Sequence, residues 1–358
     1  MSGGFHRLRI ADVIDETADA RSIRIDLPEE LRETFAFRPG QHLTLKADIG
    51  GEDVRRNYSL CVAPQEGELK VTVKRIAGGA FSNWANDTLK PGDTIEVMPP
   101  HGSFTWDFRP DAANHYVGFA GGSGITPVLS LLKTALVTEP RSRFTLLYGN
   151  RDSQSVIFLE ELARLKNRFM DRLQVYHFLA EEAEDIELFN GLLDRTKCDD
   201  ILTQLVDPKA VDAFFICGPG PMMDAAEAAV EAHGVPRERI HVERFTAGRP
   251  SAALAAQMQA LQSQAQGAAM LVTLDGRKRR VPFDAAAGNI LDSARLAGLP
   301  APYACKAGVC ATCRARVVSG QVEMAARYGL TDEEVASGYV LTCQSVPKGE
   351  GVELDYDA

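Results

Sequence analysis

Four cysteines near the carboxyl end of the chain constrain its fold more than any other feature. Cys305, Cys310 and Cys313 have the spacing C-x4-C-x2-C, and Cys343 follows thirty residues later. This spacing is a ligand pattern of [2Fe-2S] clusters. The residues between the ligands are small, so backbone amides can approach the sulfur atoms and tune the potential. We therefore predict a [2Fe-2S] cluster held by these four cysteines.

A structural zinc site is the alternative for the same four side chains. Zinc sites usually pair one CxxC with a second CxxC, whereas here only Cys310 and Cys313 form such a pair. The spacing thus favours an electron carrier. A non-enzymatic iron–sulfur or zinc redox sensor is the corresponding alternative function.

The composition argues against several classes of protein. The 358 residues suffice for two or three domains, and the net charge of −10 argues against a nucleic-acid-binding surface, which would be basic. No apolar run approaches the roughly 18 residues of a membrane span, and residues 1–7 lack the apolar core of a signal peptide. The other cysteines, Cys61, Cys198 and Cys217, are an odd set that makes no disulfide framework. We expect a cytoplasmic protein without nucleic-acid or membrane partners.

The hydrophobic pattern predicts a multidomain α/β and β protein. Residues 1–112 show short alternating strands broken by turns, typical of an antiparallel β-barrel. Residues 113–247 alternate strands with helices, which predicts a parallel-sheet α/β domain. Residues 248–267 are rich in Ala, Gln and Ser, which predicts a linker, flexible or helical. Residues 268–358 then form an α+β domain of β-grasp-like type around the cysteine loop.

Two segments of the first domain suit a flavin nucleotide. In Arg56-Asn57-Tyr58-Ser59, the arginine can pair with a phosphate, the tyrosine can lie against a flat ring, and the serine can hydrogen-bond a ring nitrogen. In Gly78-Gly79-Ala80-Phe81-Ser82, the glycines open a predicted helix whose free amides suit a pyrophosphate. Taken alone, each segment also fits an ordinary strand or the start of an ordinary helix. The prediction of a flavin site therefore depends on the presence of both segments in a domain that precedes a nucleotide domain.

Three segments of the second domain suit a pyridine nucleotide. Gly122-Ser123-Gly124-Ile125-Thr126-Pro127 is a glycine-rich strand-to-helix turn, for which a purely structural turn is the alternative. Cys217-Gly218 ends a predicted strand at the edge where doubly wound sheets bind ligands, although inert buried thiols are also common there. Glu243-Arg244-Phe245 ends the last strand. Arg151 follows the second strand and favours NADPH, because arginine accommodates a 2′-phosphate, while the neighbouring Asp152 keeps NADH as the alternative.

In these segments the first 247 residues resemble the ferredoxin–NADP reductase family. The resemblance implies that Ser59, Cys217 and Glu243 surround the path of hydride transfer. It also implies FAD, with FMN as the alternative, and a pyridine nucleotide. The implied cofactor-binding residues are Arg56, Tyr58, Ser59, Lys74, Gly78, Gly79, Ser82 and Phe245 for the flavin and Gly122, Gly124, Thr126, Arg151 and Gly218 for the nucleotide.

The resemblance extends over nearly the whole chain to reductase components of bacterial oxygenase systems. It is carried by residues 37–46, 147–151, 216–219, 241–245 and 302–313. It implies electron flow from NAD(P)H through FAD and the [2Fe-2S] cluster to an oxygenase partner, with a diiron epoxidase as the predicted partner. A Rieske-type aromatic-ring or steroid hydroxylase is the alternative, since its reductases share the same order of domains.

Overall fold

The structure, a computed structural model, describes residues 4–245 and 252–358. It divides into two compact units, with the boundary between Glu243 and Arg244. The first unit contains an antiparallel sheet and a parallel sheet, and the second contains a mixed sheet. The predicted fold class, a flavin barrel, a parallel-sheet nucleotide domain and an α+β iron–sulfur domain, is confirmed.

The amino-terminal domain is a six-stranded antiparallel barrel. Its strands follow the order β4-β3-β6-β1-β2-β5. Leu60, just after β4, bridges to Val71 of β5, so the two end strands of the sheet meet. Alternate side chains such as Leu43 and Leu45 fill the interior. The elements are β1 (His6–Thr17), β2 (Ala20–Ile25), β3 (His42–Ile49), β4 (Glu52–Ser59), β5 (Leu69–Lys74), α1 (Ala80–Thr88) and β6 (Thr94–His101).

The second domain is a five-stranded parallel sheet with the order β11-β10-β7-β8-β9. Its strands are nearly continuous apolar runs because helices cover both faces. Helices α2 and α3 pack on one face, and α4 and α5 on the other. The elements are β7 (His115–Gly121), α2 (Ile125–Thr138), β8 (Arg143–Asn150), α3 (Leu159–Arg168), β9 (Leu173–Leu179), α4 (Arg195–Gln204), β10 (Ala213–Cys217), α5 (Gly220–Ala232) and β11 (Ile240–Glu243).

Buried polar contacts join the barrel to the parallel sheet. The Ser130 hydroxyl of α2 donates to the carbonyl oxygen of Val62 at 2.6 Å and accepts from the amide of Gly40 at 3.3 Å. Lys133, one turn further along α2, is buried and lies 2.6 Å from carboxylate oxygens of both Glu66 and Glu161. The helix that follows the glycine-rich turn is therefore fixed against the barrel.

The carboxyl-terminal domain is a mixed five-stranded sheet with the order β13-β12-β18-β14-β16, beside the two-stranded sheet β15-β17. The β12–β13 hairpin turns at Asp275 and Gly276, which both have positive φ angles. The elements are α6 (Ala252–Gln264), β12 (Ala269–Leu274), β13 (Arg277–Pro282), α7 (Ile290–Leu296), β14 (Arg314–Ser319), β15 (Val322–Met324), α8 (Asp332–Ala336), β16 (Tyr339–Leu341), β17 (Ser345–Pro347) and β18 (Glu353–Asp355).

The segment predicted as a linker, 248–267, lies partly outside the described residues. From Ala252 it forms α6, and Met258 of this helix and Ala265 just after it are buried in the core of the carboxyl-terminal domain. The exact domain limits stay predictions.

Two helices of the second domain differ from the sequence-based expectation. The pattern predicts a helix over 156–169, but α3 begins at Leu159, because Asp152 caps a short turn over 153–155 and Phe158 has φ +65°. The pattern does not predict helix α4 at all, since its first six residues, Arg-Thr-Lys-Cys-Asp-Asp, are mostly polar. Among the described residues no helix is long and apolar enough to cross a membrane.

Candidate functional site

Two turns of the nucleotide domain touch through their backbones. A Cβ atom built on Gly124 would lie 2.1 Å from the carbonyl oxygen of Cys217, and one on Gly218 would lie 2.9 Å from the amide nitrogen of Gly121. These contacts follow from the parallel pairing of β7 with β10, which sets Cys217 beside Ala120. Only glycine permits the two backbones to approach so closely. The glycines at positions 124 and 218 are therefore explained by the packing of one turn against the other.

The glycine-rich turn is also closed by side chains. Gly122 has φ +51°, and its carbonyl accepts a hydrogen bond from the Tyr148 hydroxyl at 3.0 Å. The buried hydroxyl of Thr126 donates to the carbonyl of Ser123 at 3.0 Å. A Cβ on Gly122 would lie 3.8 Å from Nζ of Lys74. Lys74 of the barrel therefore lies beside the turn, and it also faces Asp19 at 3.6 Å.

The three residues predicted along the hydride path lie on two sheets of the first unit, Ser59 on β4 of the barrel and the other two on β10 and β11. Cys217 and Glu243 are register partners on β10 and β11. Ser59, which is buried, is the cross-strand partner of His42, and Nδ1 of His42 lies 3.8 Å from Oε1 of Glu243. Cross-strand partners present their side chains to the same face. The structure thus brings Ser59, His42, Glu243 and Cys217 into one contiguous group.

Burial determines the protonation of this group. Desolvation, reinforced by Glu243, raises the pKa of the Cys217 thiol well above its usual range. Desolvation, reinforced by His101, lowers the pKa of His42 well below its usual range. At neutral pH the site therefore holds a thiol and a neutral imidazole.

A polar chain continues from His42 into the barrel wall. Nε2 of His42 lies 3.1 Å from Nδ2 of Asn57, and the Thr44 hydroxyl donates to Oδ1 of Asn57 at 2.9 Å. Thr44 also lies 3.4 Å from Nε2 of His101. Because the Asn57 amide donates to Nε2, that nitrogen is an acceptor, and Nδ1 carries the proton that faces Glu243. His42 was not among the predicted site residues, although it stands in the segment 37–46 that carries the resemblance.

The predicted flavin residues line the start of α1 and the end of β4. The Tyr58 ring packs against Phe81 at 5.6 Å, and Arg56 is exposed, with Nη1 donating to the carbonyl of Arg55 at 2.7 Å. Gly79, after Gly78 at φ +72°, is the N-cap of α1 and leaves the first amides of the helix free of its own side chain.

The hydroxyl of Ser82 is occupied within the same turn. It accepts from the amide of Ile76 at 3.1 Å, and the side chain is buried. Phe245 follows β11 by two residues and is 38 % exposed. The helix amides, the exposed guanidinium and the Tyr58 ring fit a flavin nucleotide.

At the end of β8, the predicted 2′-phosphate residue is surrounded by acids. Nε of Arg151 lies 2.8 Å from Oδ2 of Asp152 and 3.8 Å from Oε2 of Glu181. Ser153 donates through its amide and its hydroxyl to Glu182 at 3.0 and 2.9 Å. Arg151 is therefore present at this edge, but it is already paired.

A buried carboxamide lies beside this group. Among the described residues, neither polar atom of the Asn150 side chain has a hydrogen-bond partner, although the Tyr148 hydroxyl is close. Buried amides are normally satisfied. An unsatisfied one at the ligand-binding edge of a parallel sheet fits a site completed by a nucleotide.

The four predicted cluster cysteines form two pairs. Cys305 and Cys310 share a hydrogen bond that raises the pKa of the first thiol and lowers that of the second, and Cys313 and Cys343 share another that does the same. All four are free of disulfides, and only Cys305 is partly exposed. Among the described residues, no three cysteine, histidine or acidic side chains are arranged to hold one metal ion. Two thiol pairs fit a two-iron cluster, in which each iron takes two protein ligands.

The loop between the predicted ligands turns its amides toward the sulfur atoms. Lys306, Gly308 and Ala311 all have φ between +52° and +74°, which is rare for residues other than glycine. The amide of Ala307 donates to Sγ of Cys305 at 3.3 Å. Nε2 of Gln344 donates to the carbonyl of Lys306 at 3.0 Å and lies 3.8 Å from Sγ of Cys343. Gln344 thus links the loop to the distant fourth cysteine.

Three family descriptions match these domains in order. Residues 7–106 match the oxidoreductase FAD-binding domain, 119–228 the oxidoreductase NAD-binding domain, and 272–348 the 2Fe-2S iron-sulfur cluster binding domain. The fold and the site define an NAD(P)H-dependent oxidoreductase that transfers electrons through FAD to a [2Fe-2S] cluster.

Similarity to proteins over nearly the full length of the chain identifies a narrower family within this class. The chain is 44 % identical to a subunit of the 1,2-phenylacetyl-CoA epoxidase of Escherichia coli K12, over 99 % of this chain and 98 % of the relative. It is 39 % identical to the 3-ketosteroid-9-alpha-monooxygenase ferredoxin reductase component of Rhodococcus rhodochrous, over 98 % and 96 %. Phthalate dioxygenase reductase superposes with a TM-score of 0.61 at 26 % identity, covering 98 % of both chains. The protein therefore belongs to the family of flavin and [2Fe-2S] reductase components of oxygenase systems.

Proposed function

We propose that the oxygenase partner of this reductase is the diiron component that epoxidises phenylacetyl-CoA. The observation that carries the proposal is the 44 % identity with a phenylacetyl-CoA epoxidase subunit, over 99 % of the chain. The match at 39 % to the ketosteroid monooxygenase reductase makes a Rieske-type oxygenase the second candidate. A cytoplasmic location belongs to the same proposal and is supported by seven cysteines that are all free thiols.

The group around Ser59 is proposed to carry hydride transfer. When bound, the flavin accepts two electrons as a hydride and releases them singly to the cluster. The buried Cys217 thiol and the Ser59 hydroxyl would shape the space where the two rings meet. Glu243 would face the Nδ1 proton of His42, 3.8 Å away, and this electrostatic contact would orient its carboxylate.

The proposed flavin contacts follow from charge and free amides. Arg56 and Lys74 would neutralise the phosphates, the amides that follow Gly78 and Gly79 would bind them, and Tyr58 would lie along the ring. The Ser82 hydroxyl already accepts from Ile76, so its contribution would be to hold this turn in shape. Phe245 would cover the ring until the nicotinamide displaces it.

NADPH remains the proposed reductant, through Arg151, with Gly122, Gly124, Thr126 and Gly218 forming the turns that receive the dinucleotide. Asp152 and Glu181 compete for this arginine. The experiment compares kcat/KM for NADPH and NADH in wild type and in Arg151→Ala. We expect the NADPH value to fall about tenfold while the NADH value is kept, as for loss of one phosphate pair. A wild-type ratio of ten or more in favour of NADH would reject the proposal.

The cluster is proposed as the only outlet to the oxygenase, so Cys305→Ser should abolish reduction of the oxygenase. Ferricyanide takes electrons from the flavin directly, and its reduction should persist in this variant. Parallel loss of both activities would contradict the order of transfer.

The partner itself is tested by turnover. Purified reductase and NADPH are combined either with the oxygenase component of phenylacetyl-CoA epoxidase or with a Rieske-type ketosteroid oxygenase, and product is measured. Product with the first and none with the second supports the proposal. The reverse result would assign the reductase to the second candidate.

A further inference from the structure

Charge is unevenly distributed along the iron–sulfur domain. Residues 277–306 contain six Lys and Arg against two Asp, whereas residues 307–358 contain four Lys and Arg against eight Asp and Glu. The domain is nearly neutral as a whole, so its basic residues are concentrated in one stretch of the chain. Concentrated charge of one sign guides charged partners into position.

The basic residues begin on an edge strand. Among the described strands, β13 has a neighbour only on its β12 side, and Arg277, Lys278, Arg279 and Arg280 are all exposed. Val281 is buried in the core, so Arg277 and Arg279, at alternate positions, stand on that same side of the sheet. A guanidinium nitrogen of Arg279 lies 3.5 Å from the carbonyl oxygen of Gly298, just beyond the end of α7.

The end of α7 connects this strand to the cluster loop. Leu296, at 70 % exposure, stands next to Arg295, whose guanidinium lies 4.4 Å from the centre of the Tyr303 ring. Nζ of Lys306, the residue after the ligand Cys305, lies 4.8 Å from the same ring and 2.6 Å from Asp292 of α7. An exposed apolar side chain is therefore bordered by cations that continue to the cluster.

We propose that this surface, formed by Arg277, Arg279, Arg295, Leu296 and Lys306 and called the basic face, docks the oxygenase component through an acidic surface of that partner. The proposal rests on the function assigned above and names where the electron leaves. The face adjoins the first cluster ligand, and an apolar centre with a charged rim is the usual anatomy of a transient interface. A second copy of this chain is a poor occupant, because a symmetric contact would oppose equal charges.

The test uses full-length variants and the epoxidase oxygenase component as the probe. Arg279→Glu and Leu296→Asp are combined, and both side chains are exposed enough for the fold to tolerate the change. Arg316→Glu with Val318→Asp is the matched control, since both residues are exposed on β14, three positions from β13 in the sheet order. The reductase is also mixed with NADPH alone in a stopped-flow spectrometer, which follows reduction of the cluster.

We expect the variant to need at least about tenfold more oxygenase for half-maximal turnover, as loss of one hot-spot contact and one steering charge implies. The difference should shrink at 1 M salt, where the screening length is about 3 Å. The control should behave as wild type, and cluster reduction without oxygenase should be unchanged in both.

Three results would overturn the proposal: an unchanged oxygenase requirement, an equal change in the control, or slower cluster reduction in the variant alone, which would show that the face serves transfer within the reductase. If the wild-type reductase itself did not support product formation by the epoxidase, the assigned partner would be rejected instead. The same titration with the ketosteroid oxygenase would then test the face independently.

Discussion

Replacing Gly124 by alanine should separate the two turns that we propose receive the nucleotide. The added Cβ would lie 2.1 Å from the carbonyl oxygen of Cys217, 2.4 Å from its carbonyl carbon and 2.7 Å from the amide nitrogen of Gly218. All three are backbone atoms, so no side-chain rotation relieves the contact. Cβ atoms essentially never approach other atoms closer than 3.0 Å, and the turns must therefore move apart by about 0.9 Å.

The size of the effect follows from this displacement. A misplacement on the order of 1 Å at a reacting centre can cost about 100-fold in rate. We expect kcat/KM for NADPH, with ferricyanide as acceptor, to fall by about that factor in Gly124→Ala. Ferricyanide is chosen because its reduction by the flavin does not require the cluster.

Gly220→Ala provides a matched control at the same edge of the sheet. Gly220 begins α5, and among the described residues no heavy atom beyond its chain neighbours and its own helix lies within 4 Å of a Cβ built there. Its kcat/KM should stay within about twofold of wild type, since alanine is a better helix former than glycine. If Gly124→Ala matched this control, the close contact would not be what positions the nucleotide. If the thermal unfolding midpoint of Gly124→Ala fell sharply, the steric contact would destabilise the fold instead of displacing the nucleotide.

Further predictions concern stability and the cluster. Lys133→Met should lower the free energy of unfolding by about 2 kcal/mol in urea titrations, because it leaves the half-buried Glu161 without its nearest cation; a loss below about 0.5 kcal/mol would contradict this. Burial lowers the pKa of His115 to about 4, so this residue is neutral when folded and protonated when unfolded between pH 6.5 and 4. The free energy of unfolding should therefore fall as the pH drops through that window, and His115→Gln should flatten the dependence measured between pH 7 and 5. Gln344→Leu should lower the midpoint potential of the cluster in a redox titration, because it removes an N–H donor near Sγ of Cys343 that favours the reduced state; an unchanged potential would assign Gln344 a structural role only.

Hydrophobic runs and turn signals predict most of the fold, because each of them depends only on neighbouring residues in the sequence. The apolar run of β10 and the helix after Gly124 were expected close to where they stand. The prediction of the four cysteines as cluster ligands depends on their spacing alone, and it stays a prediction. Helix α4 was missed because its burial depends on Cys198, Ile201 and Leu202 packing under the sheet, and these stand among polar neighbours.

The sequence predicts individual residues of the candidate site, but it does not predict which of them lie in contact. Nothing in the sequence sets His42 beside Glu243, since the two are two hundred residues apart and meet only when β3 and β11 are in place. The acids around Arg151 show the same limit. Asp152 is visible beside it, but Glu181 approaches only through the pairing of β8 with β9. Long-range packing decides both cases, and single motifs do not encode it.

Helix α6 has a practical consequence for work on the isolated iron–sulfur domain. The helix packs Met258 into the core and borders, with Gln262, a cavity of about 280 Å³ that reaches Cys343 and Gln344. A recombinant fragment cut at residue 268, just ahead of the stretch that matches the iron–sulfur family, would lack this cover. Solvent would then reach Cys343, the proposed fourth ligand, from the side that α6 covers, and the fragment should bleach in air faster than one that begins at Ala252.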